Sequence, residues 1–268
     1  MNWKNTYRGF MMGISDVIPG VSGGTIAVLL GIYDDFIASI DGIFTKHWKK
    51  HVRFLIPLLL GMGIALLAFS HIIKWLFATY PAPTQFFFLG LIIGILPYLF
   101  RQTSEIGTFK THHIVLLIIG AILCAMLVFL DTSGHAVIVE FSVQTYLFLF
   151  LAGMLASAAM ILPGISGSFV LLVIGAYHTI IEALSALQLN VLIVVALGIG
   201  FGMIFMSKVI HYFMKHFKLA TFSVVIGLVI GSIVVVFPGW PTGIELVASL
   251  ITALVGLLCA YILGKVEY

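Results

Sequence analysis

Two short stretches of this chain carry residues whose types and spacing could do chemistry. Pro19-Gly20 is followed by Ser22, Gly23, Gly24 and Thr25, and 144 positions later Pro163-Gly164 is followed by Ser166, Gly167 and Ser168. Proline removes a backbone N–H and glycine admits left-handed dihedrals, so each Pro-Gly pair breaks a helix and acts as a hinge. The half-helix that resumes beyond it starts with amide hydrogens lacking intrahelical acceptors and with the positive end of its dipole, about +0.5 charge. Glycines let a ligand approach that backbone, and the serine and threonine hydroxyls add donors. Ser22, Gly23, Gly24, Thr25, Ser166, Gly167 and Ser168 are therefore expected to bind an anion, with phosphate the best fit. The plain alternative is two kinked helices whose serines bond backbone carbonyls; recurrence of Pro, Gly, Ser and Gly at matching positions argues against it.

Two dipole ends supply about one positive charge against the roughly −1.5 to −2 of a phosphomonoester. A side chain should help. Arg8, just ahead of the first break, is the first candidate, although an interfacial anchor fits it equally. His71 and Lys208 correspond under a shift of 137 and each follows a serine, so they stand at opposite mouths of the protein. Snorkelling to the interface explains Lys208 as well. Asp16 is an acid inside an apolar run, three residues before Pro19. Such carboxylates are costly in a membrane and point to function. It either couples transport to a proton or cation or braces the broken helix. The nine histidines show no metal-ligand spacing, and Cys124 and Cys259 read as small packing residues, so neither metal nor cofactor is expected.

The elements that hold these residues are apolar throughout. The chain has 62% hydrophobic and 9% charged residues and a mean hydropathy of +1.21. Water-soluble domains carry about 25% charged residues, so this is an integral membrane protein. Its runs are continuously apolar over about 20 residues, which fits helices in a bilayer core about 30 Å thick rather than a barrel. The net charge of +3 gives no sign of nucleic acid binding.

The duplication extends beyond the two motifs. Gly9, Gly31 and Tyr33 match Gly153, Gly175 and Tyr177 at the first shift; Gly61, Gly90 and Gly94 match Gly198, Gly227 and Gly231 at the second. The first repeat covers residues 1–131, with a hairpin at 8–40 and spans at about 54–73, 85–100 and 113–131. A linker at 132–142 leads to the second repeat, 143–268, with a hairpin at about 144–184 and spans at about 190–210, 221–237 and 244–264. Three full spans per repeat is an odd number, so the second repeat enters the membrane from the opposite side. With the N-terminus inside, only Lys74 of the 13 Lys and Arg lies outside, as the positive-inside rule requires. Both termini are expected in the cytoplasm and the linker outside. The expected fold is all-α: an inverted-topology, two-repeat membrane transporter with a broken or re-entrant hairpin plus three transmembrane helices per repeat. Broken helices at corresponding positions of two halves are the best sequence pointer to a transporter's binding site.

The segments Asp16-Val17-Ile18-Pro19-Gly20-Val21-Ser22-Gly23-Gly24-Thr25 and Leu162-Pro163-Gly164-Ile165-Ser166-Gly167-Ser168-Phe169, each followed by Gly-x-Tyr, resemble the PopT family of polyprenyl-phosphate transporters. The resemblance covers essentially the whole chain. It implies translocation of undecaprenyl phosphate from the outer to the inner leaflet of the bacterial cytoplasmic membrane, which recycles the lipid carrier of cell-wall synthesis. It also implies a polyprenyl phosphate partner and no catalysis. One alternative is an enzyme, because the motif also resembles the Pro-Gly-x-Ser-Arg-Ser-Gly stretch of integral undecaprenyl-pyrophosphate phosphatases. Gly23 and Gly167 stand where that arginine would be, and no glutamate pair lies upstream. A phosphatase needs a nucleophile, an acid or base and charge neutralisation, of which only the serines are present. The other alternative is a small-anion secondary transporter.

Overall fold

The computed structural model describes residues 3–16, 22–130, 137–138 and 140–267, and among these every regular element is helical. In the first half the order is α1 (Lys4–Asp16), α2 (Gly23–Leu29), α3 (Tyr33–Asp41), α4 (Trp48–Thr79), α5 (Pro81–Ile106) and α6 (Thr111–Ala125). The second half follows with α7 (Val143–Ile161), α8 (Gly167–Ile174), α9 (Tyr177–Ser185), α10 (Leu189–His216), α11 (Lys218–Val236) and α12 (Ile244–Glu267). Among the described residues, six helices are long and apolar enough to cross a membrane: α5, α6 (with its 3₁₀ extension to Phe129), α7, α10, α11 and α12. The expected span at 113–131 stops being α-helical at Ala125 and continues as a 3₁₀ turn over Met126–Phe129.

Each expected hairpin has two breaks instead of one. The first separates α1 from α2 in the first copy and falls at Pro163-Gly164, after α7, in the second. The second lies at Gly31 and Gly175, which take φ of +61° and +85° and so end α2 and α8 in the left-handed region that favours glycine. Beyond it the chain turns sharply; α8 and α9 meet at 111°. The Gly-x-Tyr signature thus marks a corner in the backbone.

Four helix pairs carry the fold, and the same pairing recurs in both halves: α1 with α4 and α7 with α10, then α5 with α12 and α6 with α11. Glycines set these contacts. A Cβ at Gly9 would collide with the Leu58 backbone of α4, and one at Gly153 with the Val195 backbone of α10. Gly90 meets Ala253 of α12 in the same way, and Gly227 meets Leu117 of α6. Without side chains at the crossing, backbones approach closely, as membrane helices do where hydrophobic burial cannot drive them together. All four contacts are within one chain.

The outer helices are apolar on the wrong side for water. On α12, Val247, Ile251, Leu254, Leu258 and Tyr261 form an exposed stripe at helical spacing, while Ser249, Gly256 and Ala260 face α5. Only 17% of the apolar window of α6 and of α12 is buried, against 56% for α5 and α11, so α5 and α11 form the interior and α6 and α12 the lipid-facing wall.

Candidate functional site

The two motif copies meet in the core. Ser22 caps α2 from extended backbone, its hydroxyl accepting from the Thr25 amide at 3.3 Å. That hydroxyl also donates to the Leu162 carbonyl of the second copy at 3.3 Å. Thr25 Oγ1 accepts the Gly164 amide at 2.9 Å and lies 3.3 Å from Ser22 Oγ. Ser22 has given its own hydrogen to Leu162, so Thr25 must donate to Ser22. A chain of bonds therefore leaves the second motif at the Gly164 N–H, passes through Thr25 and Ser22, and returns at Leu162. Tyr33 adds a third link, its hydroxyl donating to the Ile161 carbonyl at 3.3 Å. Ser22, Thr25 and every residue of α2 are buried.

Gly164 sits at φ +89°, where a side chain would be strained and would press on the Leu228 carbonyl of α11. Its own carbonyl accepts from the Cys124 thiol at 3.4 Å. Sequence reasoning gave Cys124 only a packing role and gave Tyr33 none beyond the repeat; both hold the second copy in place. Their signal in the sequence is weak, since tyrosine and cysteine are ordinary residues in membrane helices.

Asp16 ends α1. Its Oδ1 accepts the Gly23 amide at 2.6 Å, and a Cβ on Gly23 would lie 2.8 Å from Oδ2. Oδ2 itself is buried and has no hydrogen-bond partner among the described residues. In the first copy, then, two amides at the start of α2 already have protein acceptors, Asp16 and Ser22. The second copy differs. Ser166 makes no capping bond, and its hydroxyl pairs with that of Ser168 at 2.8 Å. No residue of α8 is buried. Gly24 and Gly167 are both held against carbonyls of α7, those of Ile161 and Ala156.

The hinge residues Pro19 and Gly20 lie outside the described residues, while Pro163 and Gly164 form the turn after α7. Arg8 lies half-buried on α1, two turns before Asp16, with Nη1 donating to Asn5 Oδ1 at 3.2 Å. Lys208 is exposed on α10. His71 belongs to α4, and its side chain lies outside the described residues. No cluster of metal-ligating side chains is found among the described residues.

The two copies also differ in their surroundings. α3 packs on α10, where Asp41 Oδ2 lies 2.8 Å from His211 Nδ1, and Asp34 pairs with Lys218 at 3.2 Å. Among the described residues no comparable packing joins α9 to α4.

These features define a multi-pass helical membrane protein whose two interrupted hairpins lock together in its interior. A family model described as undecaprenyl phosphate translocase-like (VCA0040-like) matches residues 12–261, and the chain belongs to that family. It is 43% identical over 273 residues to a polyprenyl-phosphate transporter of Staphylococcus aureus, covering 98% of this chain and 96% of that protein. It is 34% identical over 253 residues to a polyprenyl-phosphate transporter of Vibrio cholerae, covering 89% of this chain and 79% of the relative. No solved structure matches it.

Proposed function

We propose that this protein carries undecaprenyl phosphate from the outer to the inner leaflet of the bacterial cytoplasmic membrane, recycling the lipid carrier of cell-wall polymer synthesis. The observation that carries the reading is the hydrogen-bonded junction between Thr25 and Gly164. It brings the start of α2 and the turn at Gly164 into one buried region, where a single phosphate could meet both motifs. The α8 start, with its uncapped amide end and the Ser166–Ser168 hydroxyl pair, is the more accessible half of that site. The α2 start is held by Asp16 and Ser22 and becomes available when those bonds exchange for phosphate oxygens. Arg8, His71 and Lys208 would draw the headgroup in from either mouth.

The recurring helix pairs support two repeats of inverted topology, each with a re-entrant hairpin, and both termini in the cytoplasm. In that frame α1 to α3 enter from the cytoplasm and α7 to α9 from outside. Packing of α3 on α10, with no comparable packing of α9 on α4 among the described residues, is the asymmetry expected of an outward-facing state. Exchange of these two environments would expose the site to the other leaflet, the alternating access expected of such scaffolds.

The test uses purified protein in liposomes. Undecaprenyl phosphate should pass between leaflets without release of inorganic phosphate. Phosphate release from a pyrophosphate lipid would replace the reading with a hydrolase, and uptake of a soluble anion would replace it with a small-anion transporter. Within the reading, Ser22→Ala combined with Ser166→Ala should impair transport in protein that still folds.

A further inference from the structure

A cavity of about 790 Å³ lies between α1, α4, α5 and α12, well inside the range of small-molecule sites. Its walls are aliphatic and aromatic, with Met11, Ile72, Phe88 and Leu91 among them. The serine and threonine hydroxyls on its lining face are already engaged, and the remaining lining hydroxyl is the phenol of Tyr80, in the link between α4 and α5. Ser15 donates to the Met12 carbonyl at 2.6 Å, Thr84 to that of Tyr80 at 2.6 Å, and Thr252 to that of Pro83 at 2.7 Å. An occupant is therefore offered hydrocarbon contact and no free donor from these groups, which favours a chain of carbon and hydrogen over any polar metabolite.

The cavity is long. On α12 its lining runs from Ala248 to Leu263, fifteen positions, or about 22 Å of helix rise. That is most of a hydrocarbon core about 30 Å thick. It also borders the hairpin: Ser15 adjoins Asp16, and Ile26 lies in α2 one residue past Thr25.

We infer that this cavity is the groove that holds the hydrocarbon tail of the transported lipid while its headgroup occupies the junction of the two motifs. The inference rests on the polyprenyl-phosphate reading above and adds where the tail goes. A slot spanning most of the bilayer lets the headgroup change leaflets while the tail stays in apolar surroundings, so only the phosphate needs a polar path. The tail is an isoprenoid chain; an ordinary phospholipid acyl chain is the competing occupant.

The full chain in phospholipid bilayers is irradiated with a polyprenyl phosphate bearing a diazirine in its tail. Adducts at Met11, Leu91 or Ala248 that disappear with unlabelled polyprenyl phosphate, but not with added phospholipid, are expected. Adducts confined to the lipid-facing stripe of α12, or displaced equally by phospholipid, overturn the groove. Ala248→Trp narrows its outer end and should lower transport of the long-chain lipid about tenfold or more, the loss expected when burial of a few methylenes is forfeited. A two-isoprene phosphate should be spared, and Val247→Trp, on the lipid side, should match the wild type. Equal loss for both chain lengths in A248W also overturns the groove. Competed adducts in a protein that moves no polyprenyl phosphate would sink the transport reading and leave the groove standing. Transport without such adducts would do the reverse.

Discussion

Thr25→Val offers the sharpest probe of the junction. Valine nearly matches threonine in shape but removes the oxygen that accepts the Gly164 amide at 2.9 Å and donates to Ser22. Thr25 is 1% exposed, so water cannot replace the lost partner from the surface. A buried donor left unpaired costs about 1–3 kcal/mol, and the weaker Ser22 bond adds little at 3.3 Å. In a chain of this size that corresponds to a fall of about 2–10 °C in melting temperature. The same cost shifts any equilibrium between joined and separated motifs by about 5- to 150-fold. Hydrogen exchange at the Gly164 amide reads the second effect directly, and thermal unfolding in detergent reads the first. Thr25→Ser keeps the oxygen and should restore most of the protection. Unchanged exchange at Gly164 in Thr25→Val would show that the junction does not hold the second motif, and the single-site reading would go with it.

Other substitutions separate packing from function. Gly63 and Gly200 have open space where a Cβ would go, so Gly63→Ala and Gly200→Ala should each stabilise the helix by about 0.5–1 kcal/mol. Gly90→Ala, whose Cβ would strike the Ala253 backbone, should instead lower the melting temperature and prevent close packing of α5 on α12. Asp16→Asn keeps an oxygen to accept the Gly23 amide and so should keep the fold, while removing the carboxylate at the end of α1. Liposomes with an imposed pH gradient would then show transport that no longer follows the gradient, and a persistent response would exclude Asp16 as the coupling group. The Asp34–Lys218 pair is about half exposed, so a double-mutant cycle in thermal denaturation should give no more than about 1 kcal/mol.

Much of the helix order could be read from the sequence because apolar runs of bilayer length leave few choices. The α10 (Leu189–His216), α11 (Lys218–Val236) and α12 (Ile244–Glu267) helices overlap the apolar runs at 190–210, 221–237 and 244–264. The second break in each hairpin was not evident: Gly31 and Gly175 stood in the repeat register, but only their positive φ shows that they turn the chain. The two uses proposed for Asp16 could not be separated from its position alone. The Gly23 bond is the contact a brace would make, and the Oδ2 without a partner among the described residues is the group that coupling would use. Pairings such as Thr25 with Gly164, 139 residues apart, depend on tertiary geometry that local pattern does not encode. The groove was invisible for a simpler reason: residues that face an isoprenoid tail and residues that face lipid are chosen from the same apolar set.

The backbone-to-backbone crossings at Gly9, Gly90, Gly153 and Gly227 have a mechanical consequence. With no side chains between them, the two helices of each pair cannot slide past one another by rotamer changes, so each pair behaves as a single stave. Any large movement must then occur at the seams between staves, where the hairpins lie. Movement between pairs is then the only kind the crossings leave free, and each pair moves as one stiff unit.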